Sequence, residues 1–258
     1  MAKYGIFDLE GRAALVTGGG SGLGRAYCEA MAEFGADVAI VGRTGSKLEE
    51  TAKNISKYGH RSLVIKGDAS APADIQMMVD RTVKEFGKLD ILFCNAADKM
   101  PPYLLHDMPV ENWDKTHNLN LRGTFLLIKA ALPQMMKQKK GSIIITSSIA
   151  AFCASGVREI SAYGASKAGL IGLAKHAASE YGRYGIRVNC IAPGMHLTDV
   201  FSSPDEQMKK VIQMHIDKTP LGRLGMPEDI KGLAVWLASD ASSFVTGQTI
   251  VQDGGMTI

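Results

Sequence analysis

From Ala13 to Val251 the chain alternates between two kinds of segment, and this alternation constrains its fold more than any other feature. Short apolar runs stand at Ala13–Thr17, Val38–Val41, Leu63–Ile65, Leu89–Cys94, Ser142–Thr146, Val188–Ile191 and Thr249–Val251. Between them lie longer segments whose apolar residues recur every three to four positions, as on one face of a helix. Leu23, Ala26, Tyr27, Ala30, Met31 and Phe34 make one such stripe, closed by Gly35. Ile75, Met78, Val79, Thr82, Val83 and Phe86 make another, closed by Gly87. Glycine is common just beyond a helix C-terminus. Further helices are expected over Lys47–Lys57, about Glu111–Lys137, Ala162–Tyr181, Asp205–Asp217 and Glu228–Ser239.

Strands separated by helices pair in parallel through right-handed crossovers. Helices then cover both sheet faces, which is why the strands read as continuous apolar runs. No linker, repeat or low-complexity tract breaks the pattern. The expectation is a single α/β domain over residues 1–258, doubly wound, with about seven parallel strands flanked by helices. A length of 258 residues suits one such domain.

Composition excludes several classes of function. A net charge of +3 without a clustered basic face gives no nucleic-acid surface. The dense run Lys137-Gln-Lys-Lys140 falls at an expected helix end, where cations favour the negative end of the dipole. The four cysteines, Cys28, Cys94, Cys153 and Cys190, are widely spaced and form no C-x-x-C pair. They indicate neither a metal site nor a disulfide framework, and free thiols suit a reducing compartment. Met1–Glu10 holds no apolar leader, and no apolar run reaches the roughly 18 residues of a membrane span. A cytoplasmic protein with no membrane partner is expected.

Two motifs carry chemistry. Thr17-Gly-Gly-Gly-Ser-Gly-Leu-Gly24 lies between the first strand and the first helix. Glycines there permit a tight turn and let backbone N–H groups approach a pyrophosphate, and the helix N-terminus favours its charge. Alone, such a loop can be a simple turn; the strand–loop–helix context makes it informative. Further on, Tyr163-Gly-Ala-Ser-Lys167 places a phenol and an ammonium one turn apart on a helix face. A free tyrosine has a pKa of about 10, and a nearby ammonium stabilises its phenolate. The pair would serve as acid for carbonyl reduction or base for alcohol oxidation. Most isolated Y-x-x-x-K pairs are solvated surface residues. This one lies downstream of a phosphate loop and follows a strand ending in Ser147-Ser148.

With T-G-x-x-x-G-x-G and Y-x-x-x-K at these places, the sequence resembles the short-chain dehydrogenase/reductase family from about Leu9 to Gly255. The resemblance implies a single Rossmann domain that binds a nicotinamide dinucleotide and moves a hydride between it and a ketone (or oxoacyl)/secondary alcohol pair. It implies that Tyr163 is the acid/base, that Lys167 also bonds the nicotinamide ribose, and that Asn120 in Asn118-Leu-Asn-Leu-Arg-Gly123 helps hold a water relay to the lysine. Asn118 is expected to face solvent. Ser148 is the choice for the hydroxyl that orients the substrate carbonyl, with Ser147 the runner-up and more structural. Both stand further from Tyr163 than the family pattern has it, which a short insertion around Gly156–Ser161 explains.

Dinucleotide contacts are implied at Gly18, Ser21, Gly22, Leu23 and Gly24, at Asp68 and Ala69 after the third strand, and at Asn95 after the fourth. Asp68 would bond the adenine amino group, or cap the helix near Ala71. Asn95-Ala96-Ala97 departs from the family's Asn-Ala-Gly. Pro193, Gly194, His196 and Thr198 resemble the element that holds the carboxamide. His196 replaces an aliphatic residue there and is read as filler with no assigned chemistry. At the end of the second strand a carboxylate would accept the ribose 2′-OH and favour NAD. Gly42-Arg43 stands there instead, with Lys47 nearby. A guanidinium suits a 2′-phosphate, so NADP(H) is favoured and NAD(H) remains open, since Ser21 replaces a basic residue common in NADP-using relatives. A substrate lid is expected near residues 195–220, with Phe201, Met208, Met214 and His215 as candidates to face substrate. Arg158 would meet an anionic substrate or solvent. No metal is expected, and a homotetramer is expected by analogy. An NAD-dependent alcohol or polyol dehydrogenase, a non-catalytic dinucleotide-binding regulator and an isomerase are the alternatives.

Overall fold

The computed structural model describes residues 3–98, 101–154, 159–198 and 206–258. Phe201 and Arg158, and Asp205 at the start of an expected helix, lie outside them. Seven strands form one parallel sheet: β1 (Ala13–Thr17), β2 (Asp37–Gly42), β3 (Ser62–Lys66), β4 (Ile91–Cys94), β5 (Gly141–Thr146), β6 (Ile186–Pro193) and β7 (Thr249–Gln252). Their spatial order is β3-β2-β1-β4-β5-β6-β7. The chain winds outward from β1 in one direction, then restarts at β4 and winds outward in the other. The order therefore reverses between β1 and β4, and at such a point a crevice opens beyond the carboxyl ends of the strands.

Alternation along β1 divides the core into two. Ala13 and Leu15 face helices α3 (Pro72–Phe86), α5 (Thr124–Gln138) and α6 (Ser161–Tyr181). Ala14 and Val16 face α1 (Gly22–Glu33), α2 (Gly45–Ile55) and α8 (Asp229–Ala238). All five residues of β1 and all four of β4 are buried, as strands covered on both faces must be. Tyr27 stacks on Phe93 at 4.6 Å between ring centroids, and Thr146 reaches the Tyr27 hydroxyl at 3.5 Å.

The long helix expected over Glu111–Lys137 is not one regular helix. It consists of α4 (Val110–His117), a π-helical turn over Asn118–Gly123, and then α5. A π turn takes up one residue more than an α turn, and reading the segment as one continuous apolar stripe passes over that step. Packing accounts for the site: a Cβ on Gly123 would lie 2.3 Å from the Ala69 carbonyl oxygen, so the helix presses its backbone against the loop after β3. Such bulges occur often at functional sites. The strand expected over Leu89–Cys94 begins at Ile91, with Leu89 held by hydrogen bonds to the Gln138 side chain. The remaining helix, α7 (Glu206–Lys218), follows β6.

Candidate active site

Two adjoining cavities occupy the crevice. The first, of about 360 Å³, is lined by Gly18, Ser21, Leu23, Gly24, Arg43, Lys47, Asp68, Ala69 and Asn95, among others. The second, of about 690 Å³, is lined by Gly22, Asn95, Ser148, Tyr163, Lys167, Pro193, Gly194, His196 and Thr198, among others. Leu23, Asn95 and Ala97 line both, so the two are halves of one cleft.

The glycine loop is shaped by close approach. Gly18 and Gly22 have φ of +70° and +51°, in the left-handed region that glycine enters freely. A Cβ on Gly24 would stand 2.0 Å from the Gly18 carbonyl oxygen, so the first turn of α1 folds directly over the start of the loop. The Thr17 hydroxyl donates to the Phe93 carbonyl at 3.1 Å and accepts from the Asn95 and Ala96 N–H groups at 3.0 and 3.2 Å. The Asn95 amide donates back to the Thr17 carbonyl at 3.0 Å. Asn95 thus ties the ends of β1 and β4 together where the sheet order reverses. The cradle of backbone N–H groups at a helix N-terminus fits a dinucleotide pyrophosphate.

No carboxylate terminates β2. Gly42 and the exposed Arg43 lie there, and among the described residues no salt bridge holds Arg43. Asp68 accepts from the Ser70 N–H and hydroxyl at 2.8 and 2.7 Å. Those bonds, with Arg43 nearby, hold its carboxyl below the usual range. Asp68 therefore braces the turn into α3 as well as lining the cavity.

In the second cavity, Ser148 closes β5. Its hydroxyl accepts from the Ala150 N–H at 3.2 Å and shares a cavity wall with the Tyr163 phenol, near enough to favour the phenolate. Ser147 instead donates to the Lys167 carbonyl at 2.9 Å, anchoring α6 to the strand. Lys167 is 2% exposed, and its Nζ donates to the Thr146 carbonyl at 2.7 Å. Burial lowers its pKa to about 8. Its Nζ lies 5.5 Å from the Tyr163 ring centre. The expected depression of the phenol is not what the structure gives: burial outweighs the opposing influence of the nearby Ser148 and raises the Tyr163 pKa.

Asn120 sits buried within the π turn. Its Oδ1 accepts from the Asp98 N–H at 3.2 Å and its Nδ2 donates to Ser166 at 3.1 Å, while Thr124 caps its carbonyl at 2.8 Å. Both amide ends are engaged, joining the loop after β4 to α6. Asn118 is exposed, as expected, and accepts from Arg122 at 2.9 Å. His196 is 6% exposed and its Nδ1 bonds the Gly194 carbonyl at 3.0 Å. Burial lowers its pKa, so the ring is neutral and Nδ1 carries the donated proton. Met208 and His215 line the cavity, whereas Met214 does not.

The sequence reading missed Asn112 and Thr116 of α4, Tyr103 and Met108 of the preceding loop, and Asp98, all of which line the second cavity. The spacing of Asn112 and Thr116, one turn apart before Asn120, was the available signal. Among the described residues no cluster of His, Cys, Asp and Glu is placed to hold a metal.

The family described as enoyl-(acyl carrier protein) reductase matches residues 18–257. L-rhamnose 1-dehydrogenase (NAD(P)(+)) of Sphingomonas sp. strain SKA58 is 38% identical over 252 residues, covering 97% of this chain and 98% of the relative. The chain belongs to the short-chain dehydrogenase/reductase family. A short-chain dehydrogenase/reductase structure from Mycobacterium marinum superposes with a TM-score of 0.92 at 37% identity, covering 98% of both chains. The NADPH-dependent 3-quinuclidinone reductase of Rhodotorula rubra does so at 0.90 with 32% identity, over 98% of this chain and 93% of that one. The protein is thus a short-chain dehydrogenase/reductase oxidoreductase acting on alcohols or ketones with a nicotinamide dinucleotide.

Proposed function

We propose that this short-chain dehydrogenase/reductase interconverts a ketone and a secondary alcohol with NADP(H), using Tyr163 as general acid/base. The observation that carries the reading is the arrangement of three groups around one cavity: the Tyr163 phenol, the Ser148 hydroxyl on the same wall, and the Lys167 ammonium beneath the ring. When bound, the dinucleotide supplies or accepts the hydride. In the reductive direction the Tyr163 O–H donates a proton to the carbonyl oxygen, while the Ser148 hydroxyl orients that oxygen and stabilises its developing charge. Lys167, positioned by Thr146, favours the phenolate left behind. Burial keeps Tyr163 protonated at neutral pH, which suits it to act as the acid. Asn120 positions: it fixes α6 against the loop after β4.

Gly42 and the exposed Arg43 support a 2′-phosphate and hence NADP(H). The L-rhamnose enzyme's name covers both dinucleotides, and NAD(H) is the second reading. Parallel fluorescence titrations with NADPH and NADH test the choice. Tighter NADPH binding, abolished in Arg43→Ala with little change for NADH, is the expected result. Equal losses for both cofactors would refute the assignment. Exposed apolar side chains support a homotetramer: Val110, Trp113 and Phe125 on α4 and α5, and Phe244, Val251 and Ile258 near the C-terminus. A cytoplasmic setting fits the unpaired cysteines Cys28, Cys94, Cys153 and Cys190.

A further inference from the structure

Helix α7 turns Met208, Val211 and His215 onto the cavity that Tyr163 and Ser148 line. Spacings of three and four residues put these side chains on one helix face. Met208 and Val211 make the apolar wall such a face requires; His215 does not. It is 3% exposed, and neither Nδ1 nor Nε2 has a hydrogen-bond partner. Its own carbonyl accepts from the Thr219 hydroxyl at 2.6 Å, so the helix end is fixed while the ring is unsatisfied. Buried polar atoms in native proteins are nearly always paired, and an exception calls for a functional explanation. Burial and the nearby Lys218 disfavour the charged ring, leaving a neutral imidazole with one donor and one acceptor.

The rest of the cavity narrows the chemistry of what would pair with it. Pro101, Pro102, Met108, Ile149, Ile160 and Met195 make most of its wall apolar. The charged side chains lining it, among the described residues, are Asp98, Glu159 and Lys167. Lys167 is engaged at the reacting end, so among the described residues two carboxylates face the remainder and no second Lys or Arg lines it.

Resting on the ketone-reductase reading, we infer that His215 is the specificity-determining residue for the far end of the substrate. Its imidazole hydrogen-bonds a second oxygen, hydroxyl or carbonyl, of an uncharged and otherwise apolar carbonyl compound. A site built to bond a substrate hydroxyl discriminates strongly against an analogue that lacks it.

The test compares kcat/KM with NADPH for cyclohexanone, 3- and 4-hydroxycyclohexanone, and 4-oxocyclohexanecarboxylate. Wild type is expected to prefer at least one hydroxylated ketone over cyclohexanone by about tenfold or more, and to use the carboxylate least. His215→Phe and His215→Met, two apolar replacements of different shape, should erase that preference by lowering kcat/KM for the hydroxylated ketones about tenfold or more relative to cyclohexanone; His215→Gln should restore part of it. A preference that survives in either apolar variant, a uniform loss on all ketones, or a wild type that favours the carboxylate overturns the inference and leaves Tyr163 chemistry standing. A wild type that reduces no ketone of any kind, straight-chain or cyclic, overturns the ketone-reductase reading itself.

Discussion

Lys167 is an amine sealed beneath the end of β5, and its burial has a measurable sign. In the unfolded chain it keeps its proton to about 10.5, whereas in the folded protein it releases it at about 8. Below pH 8 both states are charged and folding carries the full burial cost. Between 8 and 10.5 the unfolded state binds more protons, so stability rises with pH. Wild type should therefore gain stability relative to Lys167→Met on going from pH 8 to pH 10, read from denaturant unfolding of both at each pH. Tyr163→Phe should lower kcat by on the order of 10²–10⁴-fold, the usual worth of a general acid. NADPH affinity, measured by fluorescence titration, should be nearly unchanged. Both residues were legible because four-residue spacing on a helix is a geometric fact. The direction of the Tyr163 shift was not, because it depends on how deeply the fold encloses the phenol. The two serines needed the structure as well: Ser147 donates to the Lys167 carbonyl of α6 while Ser148 accepts from the Ala150 N–H, partners that adjacent positions in a sequence do not reveal.

At the scale of elements, loop and helix shapes follow from backbone crowding. Gly24 is the clearest case, since any side chain would collide with the Gly18 carbonyl. Gly24→Ala should weaken NADPH binding by about tenfold or more while the far-UV circular dichroism stays that of the wild type, because the crowding is confined to the turn that meets the pyrophosphate. Strands and most helices could be read from periodicity, and parallel pairing from their alternation, whereas the strand order came from the structure. The π turn could not. Its only trace is a cluster of poor helix formers, Asn118, Asn120 and Gly123, within an otherwise apolar stripe. What fixes it is contact with Ala69, a residue distant in sequence. The second-cavity wall supplied by Tyr103 and Met108 was illegible for a similar reason: loop residues carry no period.

At the scale of the whole molecule, the proposed tetramer would draw on exposed apolar side chains of different elements, Trp113 and Phe125 on α4 and α5 and Phe244 and Val251 near the C-terminus. Sedimentation equilibrium should give four protomers, and Phe125→Glu should yield a smaller species with the fold intact. Long-range ties also run within the protomer. The segment after β6 is laced to the loop before α8: Leu197 N–H bonds the Gly225 carbonyl at 2.7 Å, and Gly225 N–H bonds the Met195 carbonyl at 3.0 Å. Between those bonds the His196 ring lies flat in a space a side chain at 225 would fill, 2.6 Å from where its Cβ would stand. Positions 196 and 225 therefore constrain each other sterically. A lineage can enlarge either residue only after the other has shrunk, so each is a gatekeeper for the other's variation, and a library that randomises them separately will discard combinations that randomising them together would keep.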